Sequence, residues 1–590
     1  MIGITFNGTE YKVDSSLTIL EAAKSIGVHI PTLCHLEGNH PQGACRVCVV
    51  EVAGANALVA SCSTPVRDGM VIQTENRRVR EARKTVVDLM LSEHVGDCRY
   101  CDRGDDCELQ DLSNMLGLRE PMYAGETPPS VFDLSTPALV RDTGKCIKCR
   151  RCVMVCNEVQ NVGALFPQNR GFDTVIGPAF TRDLDTVACV QCGQCAAVCP
   201  VGAITEKSHI EQIHQALDNP EKTVVVQTAP AIRAALGECF GYEAGTLVTG
   251  KMVTALKLMG FDGVFDTNFT ADLTILEEGS ELLKRLKQTL VDGKPAALPQ
   301  FSSCSPGWIK YAEYFHPDFL PNLSTCKSPQ QMFGALAKSY YAQQIGVDPK
   351  DLVVVSVMPC TAKKFEAARP EMTQNGIPDV DYVLTTRELG QMIRSMGIDF
   401  RNLGDSAMDS PFGLSSGAAD IFANTGGVME AALRTVYEIV TGRDFPMDNL
   451  HVAPITGLEG IKEASVLITD PVDAWKFLDG VEVKVAVAHG LGNTEKVMEL
   501  IRSGEKSWHF VEIMTCPGGC IGGGGQPRFT DDAKRRARIA AIYREDEGKP
   551  IRKSHKNPTI EAIYADYLKE PLGERSHHLL HTEYEKRSIV

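Results

Sequence analysis

The sequence predicts a multi-domain α/β chain, and three observations carry that prediction. Residues 2–13 alternate apolar and polar (Ile2, Ile4, Phe6, then Tyr11 and Val13) across an Asn7-Gly8 turn, the pattern of a β-hairpin. Eleven cysteines fall in short-spaced clusters before residue 160. Beyond Pro220, β-branched runs of the buried-strand kind (Val224–Gln227, Val353–Val357, Val483–His489) alternate with helical patterns (Asp272–Gln288, Ser328–Ile345). That alternation is the signature of an α/β domain with mostly parallel sheets.

At 590 residues the chain is long enough for roughly three to five domains. A 43% hydrophobic and 23% charged composition is that of an ordinary soluble globular protein. No apolar run reaches the ~18 residues of a membrane span. The N-terminus reads as strand and turn, without the basic and apolar regions of a secretory signal. A net charge of −15 disfavours nucleic acid and anionic membrane as partners. The 21 cysteines are clustered in a long chain with no export signal, which points to metal ligation rather than disulfides. Keeping so many thiols reduced implies the cytoplasm, and an anaerobic one.

The elements follow in order. After the hairpin, the segment from Ser16 to Lys24 reads as a capped helix, and a cysteine loop comes next. Hairpin, helix and cysteine loop are a β-grasp order, taken here as residues 1–78. Cys34, Cys45, Cys48 and Cys62 sit on its loops as C-x10-C-x2-C-x13-C. Four thiolates on one small domain suit a [2Fe–2S] cluster; they would also make a tetrahedral zinc site, and the β-grasp context favours iron–sulfur.

A small second module spans 79–135. A helix is predicted over Glu75–Leu91, followed by His94-x3-Cys98-x2-Cys101-x5-Cys107. Spacing alone does not separate zinc from a [4Fe–4S] cluster here; the neighbouring cysteine groups favour the cluster. A neutral imidazole in place of a thiolate would raise its potential.

A third module, 136–208, carries a doubled run: Cys146-x2-Cys149-x2-Cys152-x3-Cys156, then Cys189-x2-Cys192-x2-Cys195-x3-Cys199-Pro200. This is the spacing of a two-[4Fe–4S] bacterial ferredoxin, in which the fourth cysteine of each run crosses to the other cluster. One cluster takes Cys146, Cys149, Cys152 and Cys199; the other takes Cys189, Cys192, Cys195 and Cys156. Electrons therefore move through this chain one at a time.

The large α/β domain spans 209–527, with a charged, partly helical segment at 528–590 expected on its surface. Three cysteine settings in the large domain are unusual: Phe301–Trp308 around Cys304, Val357–Lys364 around Cys360, and the glycine-rich Glu512–Pro527 around Cys516 and Cys520. Loops at strand ends are where an α/β site is expected, and glycine lets backbone approach a bulky group. Cys239 and Cys326 read as ordinary buried thiols. His489–Thr494 lacks the full glycine pattern of a phosphate loop.

These three segments resemble the signatures of the [FeFe], or iron-only, hydrogenases: T-S-C-C-P-x-W, M-P-C-x-x-K-x-x-E and E-x-M-A-C-x-x-G-C-x-x-G-G-G-x-P. Met358–Glu366 matches the second fully, and Glu512–Pro527 matches the third apart from Thr515 for Ala. The cysteine modules are similar in order and spacing to the long, multi-cluster clostridial type, and the resemblance covers essentially the whole chain.

It implies an H-cluster, a [4Fe–4S] cubane bridged by a cysteine to a di-iron unit carrying CO, cyanide and an azadithiolate. By position, Cys360, Cys516 and Cys520 would be cubane ligands, with Cys520 the bridge. Met358 and Met514 would pack on the di-iron unit, Lys363 would donate to one cyanide, Ala229 and Pro230 would line the other, and Gln330 would complete the pocket. The proton relay would be Cys304, Glu278, Ser324 and Glu281, with Arg285 at its mouth; Glu278 and Glu281 are three apart in a helical stretch and share a face.

One position departs from the pattern. The family's first motif has two adjacent cysteines, the first a proton relay and the second a cubane ligand; here the pair is Cys304-Ser305. Read strictly, a serine occupies the ligand position. Alternatively the loop shifts and Cys304 ligates. An alkoxide is a harder ligand than a thiolate.

The resemblance implies reversible 2H⁺ + 2e⁻ = H2, ferredoxin or NAD(P)H-oxidising partner subunits, and hydrogenase maturation proteins. The alternative is an electron-relay subunit with a degenerate, inactive H-cluster domain, since the cysteine modules also resemble the electron-input arm of respiratory NADH dehydrogenases and formate dehydrogenases.

Overall fold

The structure is a computed structural model that describes residues 1–104, 106–120, 122, 123 and 126–588. The chain divides into two compact units. The first comprises 1–158, 163–187 and 198–205; the second comprises 159–162, 188–197 and 206 onward. Among the described residues no disulfide forms, and no helix is long and apolar enough to cross a membrane.

In the first unit, Ile2–Phe6 and Thr9–Val13 pair antiparallel across Asn7 and Gly8, both at positive φ (48° and 87°). That is the backbone a two-residue hairpin needs to match strand twist. The next helix is Ile19–Ser25, capped by Thr18, and so starts later than Ser16. The reason is local. Thr18 and Glu21 satisfy each other's backbone donors in a capping box, whereas the Ser16 hydroxyl is taken by Asp14. Strand Val71–Gln73 adds parallel to the hairpin, and Val49–Val52 continues the sheet antiparallel. Its core (Ile4, Phe6, Ile19, Val50, Ile72) includes the thiols of Cys48 and Cys62. The predicted long helix runs Arg77–Glu93, capped by Asn76 and ending at His94.

The second unit holds two four-stranded sheets. In one, Gly263–Asp266, Thr223–Thr228, Leu352–Met358 and Tyr382–Thr385 lie side by side, all parallel. In the other, Gln300–Phe301, Phe510–Met514 and Glu482–His489 are parallel, and Ile461–Leu467 closes the edge antiparallel. Leu352–Met358 is buried along its whole length, which is why its sequence is apolar on both faces apart from Ser356, whose hydroxyl accepts from Gln227 Nε2 at 2.8 Å. A 24-residue helix, Thr267–Leu290, carries both Glu278 and Glu281, and both carboxyl side chains are buried. The stretch from Ser328 is helical to Ile345 as predicted, with one wider turn at Ala337–Tyr341.

The C-terminal segment departs from its surface expectation. Its helices Asp532–Gly548 and Glu574–Leu580 send Arg538, Ala541, Ile542, Leu579 and Leu580 into the interior. Beyond Pro558 the tail is also tied down by Glu277, a fully buried carboxylate that must be hydrogen-bonded. The tail supplies Tyr564 Oη at 2.5 Å, the backbone N–H of Leu572 at 2.8 Å, the Ser576 hydroxyl, and His581 at 3.1 Å.

Candidate active site

Four strands of the second unit end at one place. Thr223–Thr228 runs into Ala229-Pro230, Gln300–Phe301 into Ser302–Ser305, Leu352–Met358 into Pro359-Cys360, and Phe510–Met514 into Thr515-Cys516. Each motif therefore sits just past the carboxyl end of a parallel strand, at the mouth of one sheet or the other. Ala229, Pro230, Met358 and Met514 are all buried there.

The thiols converge. Cys360 and Cys516 are hydrogen-bonded to each other, and Cys520 is close enough to feel the charge of Cys360. Burial pushes the Cys520 thiol up to about 12. A bound cation would reverse that shift, because metal ligation deprotonates a thiol outright. The loop bearing them is shaped by glycine. Gly519 has φ +90°, and a Cβ there would lie 2.6 Å from the Thr425 nitrogen. A Cβ on Gly524 would lie 2.1 Å from the Cys192 carbonyl oxygen, so the loop runs directly against the cysteine run of residues 188–197.

That contact is reinforced on both sides. Gln194 Nε2 donates to the Gly522 carbonyl at 2.9 Å, Thr361 Oγ1 donates to the Gln191 carbonyl at 2.7 Å, and the Gln194 side chain also bonds the Cys516 thiol. Cys189, Cys192 and Cys195 all lie in this unit, whereas Cys156 belongs to the first.

Lys363 is held by two acceptors: Nζ donates to the Cys304 carbonyl at 3.0 Å and to Glu366 Oε2 at 2.8 Å. The same Glu366 oxygen accepts from Ser328 at 2.9 Å and from Gln330 Nε2 at 3.2 Å. Gln330 keeps a buried Oε1 without a protein partner.

The carboxyl pair forms a chain. Glu278 bonds the Ser303 backbone N–H and the Ser324 hydroxyl. Ser324 Oγ donates to Glu281 Oε2 at 2.7 Å, and Arg285 donates to Glu281 Oε1 at 2.7 Å. Arg285 also donates to the Asn322, Leu323 and Ala297 carbonyls, which fixes it at the less buried end. Burial, with the charge of Glu281 beside it, raises the Glu278 carboxyl to about 8. Its Oε1 has no protein partner. Cys304 faces this end: burial and then the Glu278 charge push its thiol well above the usual range, and Cys520 is the next charge it feels.

Ser305 faces elsewhere. It caps the helix Pro306–Phe315, its Oγ lies 2.7 Å from Thr515 Oγ1, and it accepts the Thr515 N–H at 3.2 Å. Cys304 thus lies within reach of the charges of Glu278 and Cys520, and Ser305 is bonded to the strand end that carries Cys516.

The first unit brings its own cysteines together. Cys34 bonds Cys45 and Cys48 bonds Cys62, with all four buried and sensing one another's charge. His94, Cys98, Cys101 and Cys107 line one cavity of about 300 Å³, and a Cβ on Gly202 there would lie 2.6 Å from the Cys101 sulfur. Cys146, Cys149, Cys152 and Cys199 line another of about 380 Å³. Cys199 thus leaves the second run to join the first, as the crossed spacing implies.

Several residues escape a reading of the sequence. Glu366 and Ser328 anchor Lys363. Glu512 accepts the backbone N–H groups of Gly426 and Met429 at 2.6 and 2.7 Å, and burial raises its carboxyl to about 7. Gln194 and Thr361 bind the cysteine run to the site. Glu366 and Glu512 are the glutamates of the second and third motifs, so the signal was present there. Gln194 and Thr361 carry none.

Family comparisons match the same layout. Residues 222–524 match "Iron only hydrogenase large subunit, C-terminal domain" and 532–587 match "Iron hydrogenase small subunit". Residues 1–77 match a 2Fe-2S iron-sulfur cluster binding domain, 83–121 an iron-sulfur binding region of NADH-ubiquinone oxidoreductase-G, and 145–203 a 4Fe-4S dicluster domain. The chain is 50% identical to the NADP-reducing hydrogenase subunit HndD of Solidesulfovibrio fructosivorans, over 100% of this chain and 99% of that one. It is 40% identical to iron hydrogenase 1 of Clostridium pasteurianum, over 99% and 100%. A solved variant of [FeFe]-hydrogenase HydA1 from Chlamydomonas reinhardtii superposes with a TM-score of 0.58 at 44% identity, covering 64% of this chain and 99% of that one.

Proposed function

The chain belongs to the iron-only hydrogenase family, an oxidoreductase acting on H2 with accessory iron–sulfur domains, and from that premise we propose how its residues divide the work. The observation that carries the proposal is the convergence of all three motif loops at the ends of neighbouring parallel strands.

The donor set suits an H-cluster. Cys360 lies beside both Cys516 and Cys520, the glycine loop leaves the space that side chains would fill, and Lys363 presents an ammonium held from behind by Glu366. When bound, the cluster supplies the two-electron interconversion of protons and H2. Lys363 has three protons to donate and spends one on Glu366 and one on the Cys304 carbonyl, which leaves one for a cofactor ligand such as cyanide. Met358, Met514, Ala229, Pro230 and Gln330 wall the pocket and exclude water.

Protons reach it through Arg285, Glu281, Ser324, Glu278 and Cys304. A carboxyl raised to about 8 is protonated at neutral pH and can pass its proton on, and the Ser324 hydroxyl both donates and accepts. Electrons reach it through one [2Fe–2S] cluster on Cys34, Cys45, Cys48 and Cys62, and through three [4Fe–4S] clusters on the His94 group and the two ferredoxin-like runs. The domain limits 1–78, 79–135, 136–208, 209–527 and 528–590 follow from that assignment.

The matching relative is named an NADP-reducing hydrogenase subunit. We extend that to a cytoplasmic role here, beside an NAD(P)H-oxidising partner subunit or ferredoxin, with maturation proteins installing the di-iron unit.

Hydrogen evolution from reduced viologen by the fully matured chain tests the reading. Turnover is expected, together with infrared bands of CO and cyanide. Their joint absence overturns it in favour of an electron-relay subunit.

A further inference from the structure

Two positions in the signature loops depart from the family pattern, Ser305 for Cys and Thr515 for Ala, and the fold puts them in contact. They lie 210 positions apart in the chain, yet Ser305 Oγ and Thr515 Oγ1 are 2.7 Å apart and the Thr515 N–H reaches the same serine oxygen at 3.2 Å. The fit is close. The Thr515 side chain fills the space a Cβ on Gly307 would occupy, with its Cγ2 and Oγ1 both 2.8 Å from that position. Alanine at 515 would leave the Ser305 hydroxyl with the backbone N–H alone.

We infer that Ser305 is the fourth protein ligand of the cubane, coordinating through oxygen, and that Thr515 is the positioning residue that makes a serine serviceable there. The inference rests on the hydrogenase reading above. A serine hydroxyl gives up its proton reluctantly, so an isolated serine is a poor substitute for cysteine at an iron site. Here the Thr515 N–H donates to the serine oxygen and the Thr515 hydroxyl is placed to donate to it once its proton is gone, the arrangement that stabilises an oxyanion. A serine oxygen has lone pairs enough to accept both and still bind a metal once its proton is gone. On loading, the Ser305 O–H bond breaks, an iron–oxygen bond forms and the proton passes to water, with no change in oxidation state. The neighbouring residues fit the division of labour. Cys304 lies between the charges of Glu278 and Cys520, as a proton relay requires, whereas the Ser305 oxygen is held by the strand end that leads to Cys516.

Oxygen is a harder donor than sulfur and favours ferric iron, so the serine lowers the cubane's potential. Hydrogen bonds to a ligand temper its donation and raise the potential. The test is infrared spectroscopy of the full chain, matured with its di-iron unit and titrated through its oxidised and reduced states. Only the H-cluster carries CO and cyanide, so the accessory clusters do not contribute.

Ser305→Cys is expected to shift the bands and move the midpoint up. Thr515→Ala is expected to move it down. Ser305→Ala is expected either to displace the bands or to lose them while the accessory clusters keep their paramagnetic signals. Bands and midpoint identical in wild type and Ser305→Ala would overturn the inference, since an oxygen that can be deleted without trace is not a ligand. Absence of the bands from wild type itself would mark failure of the hydrogenase reading, so the two failures are told apart by the wild-type spectrum.

Discussion

Glu278 shows how one carboxyl can be tuned by position. It lies on the buried face of a long helix, one turn from Glu281, and both burial and its neighbour's charge oppose ionisation. Its ordinary value of 4.5 rises to about 8, so it holds its proton throughout the neutral range and loses it only as pH climbs through about 8. Turnover of the wild type is therefore expected to decline through that region. Glu278→Gln removes the proton-accepting oxygen without altering shape. It is expected to cut kcat by about 10²–10⁴-fold, abolish the inflection near pH 8 and leave the infrared spectrum of the cofactor unmoved. Glu281→Gln should also slow turnover, but it removes the charge beside Glu278, so the inflection is expected to move to lower pH rather than vanish, and Arg285 loses an acceptor at 2.7 Å. A wild-type rate from either variant would take that residue out of the relay.

Among the elements, the glycine-rich loop after Phe510–Met514 bears the heaviest constraint, because two kinds of neighbour press on it. Gly524 meets the Cys192 carbonyl oxygen, and Gly522 accepts from Gln194. Adding a methyl group in Gly524→Ala places carbon 2.1 Å from that oxygen, which only backbone movement relieves. We expect about 1–3 kcal/mol of destabilisation in a denaturant melt. Hydrogen evolution driven through the accessory clusters should slow, while the cofactor bands change little. An unaltered melt and rate would show that the loop is softer than its packing suggests. This loop was legible from sequence, because six glycines within eight residues have no other purpose than close approach. What it approaches was not legible. Gln194 and Thr361 are unremarkable letters, and only the fold turns them toward Gly522 and Gln191. The tail is a like case: its charge reads as surface, and a buried carboxylate that ties it down, Glu277, is about 300 residues away.

For the whole molecule, the sequence disclosed the cysteine modules almost completely, because ligand spacing is short-range and survives without knowledge of the fold. Of the eight strands in the two large sheets, the β-branched runs disclosed three, Thr223–Thr228, Leu352–Met358 and Glu482–His489; Gln300–Phe301 and Phe510–Met514, which carry two of the motifs, were not read as strands. The hydrogen-bonded supports of the site did not, because they join residues far apart in the chain. The modular layout also separates electron supply from chemistry. Cys48→Ala, which removes one thiol of the most N-terminal group, is expected to abolish a single [2Fe–2S] paramagnetic signal and the rate with a pyridine-nucleotide-linked partner. Viologen-driven turnover and the cofactor's infrared bands should persist. Loss of viologen activity as well would mean that every electron passes through that first module.

The four strand ends that frame the site come from residues 228, 301, 358 and 514 and belong to two different sheets. No single stretch of chain contains a usable fraction of the pocket. Its contacts therefore depend on both sheets and on segments far apart in the chain. A nascent or half-folded chain can hold the thiols of the first unit in register, yet has nowhere to keep a cubane and a di-iron unit. Loading of the catalytic cofactor becomes a quality check that only a finished polypeptide can pass.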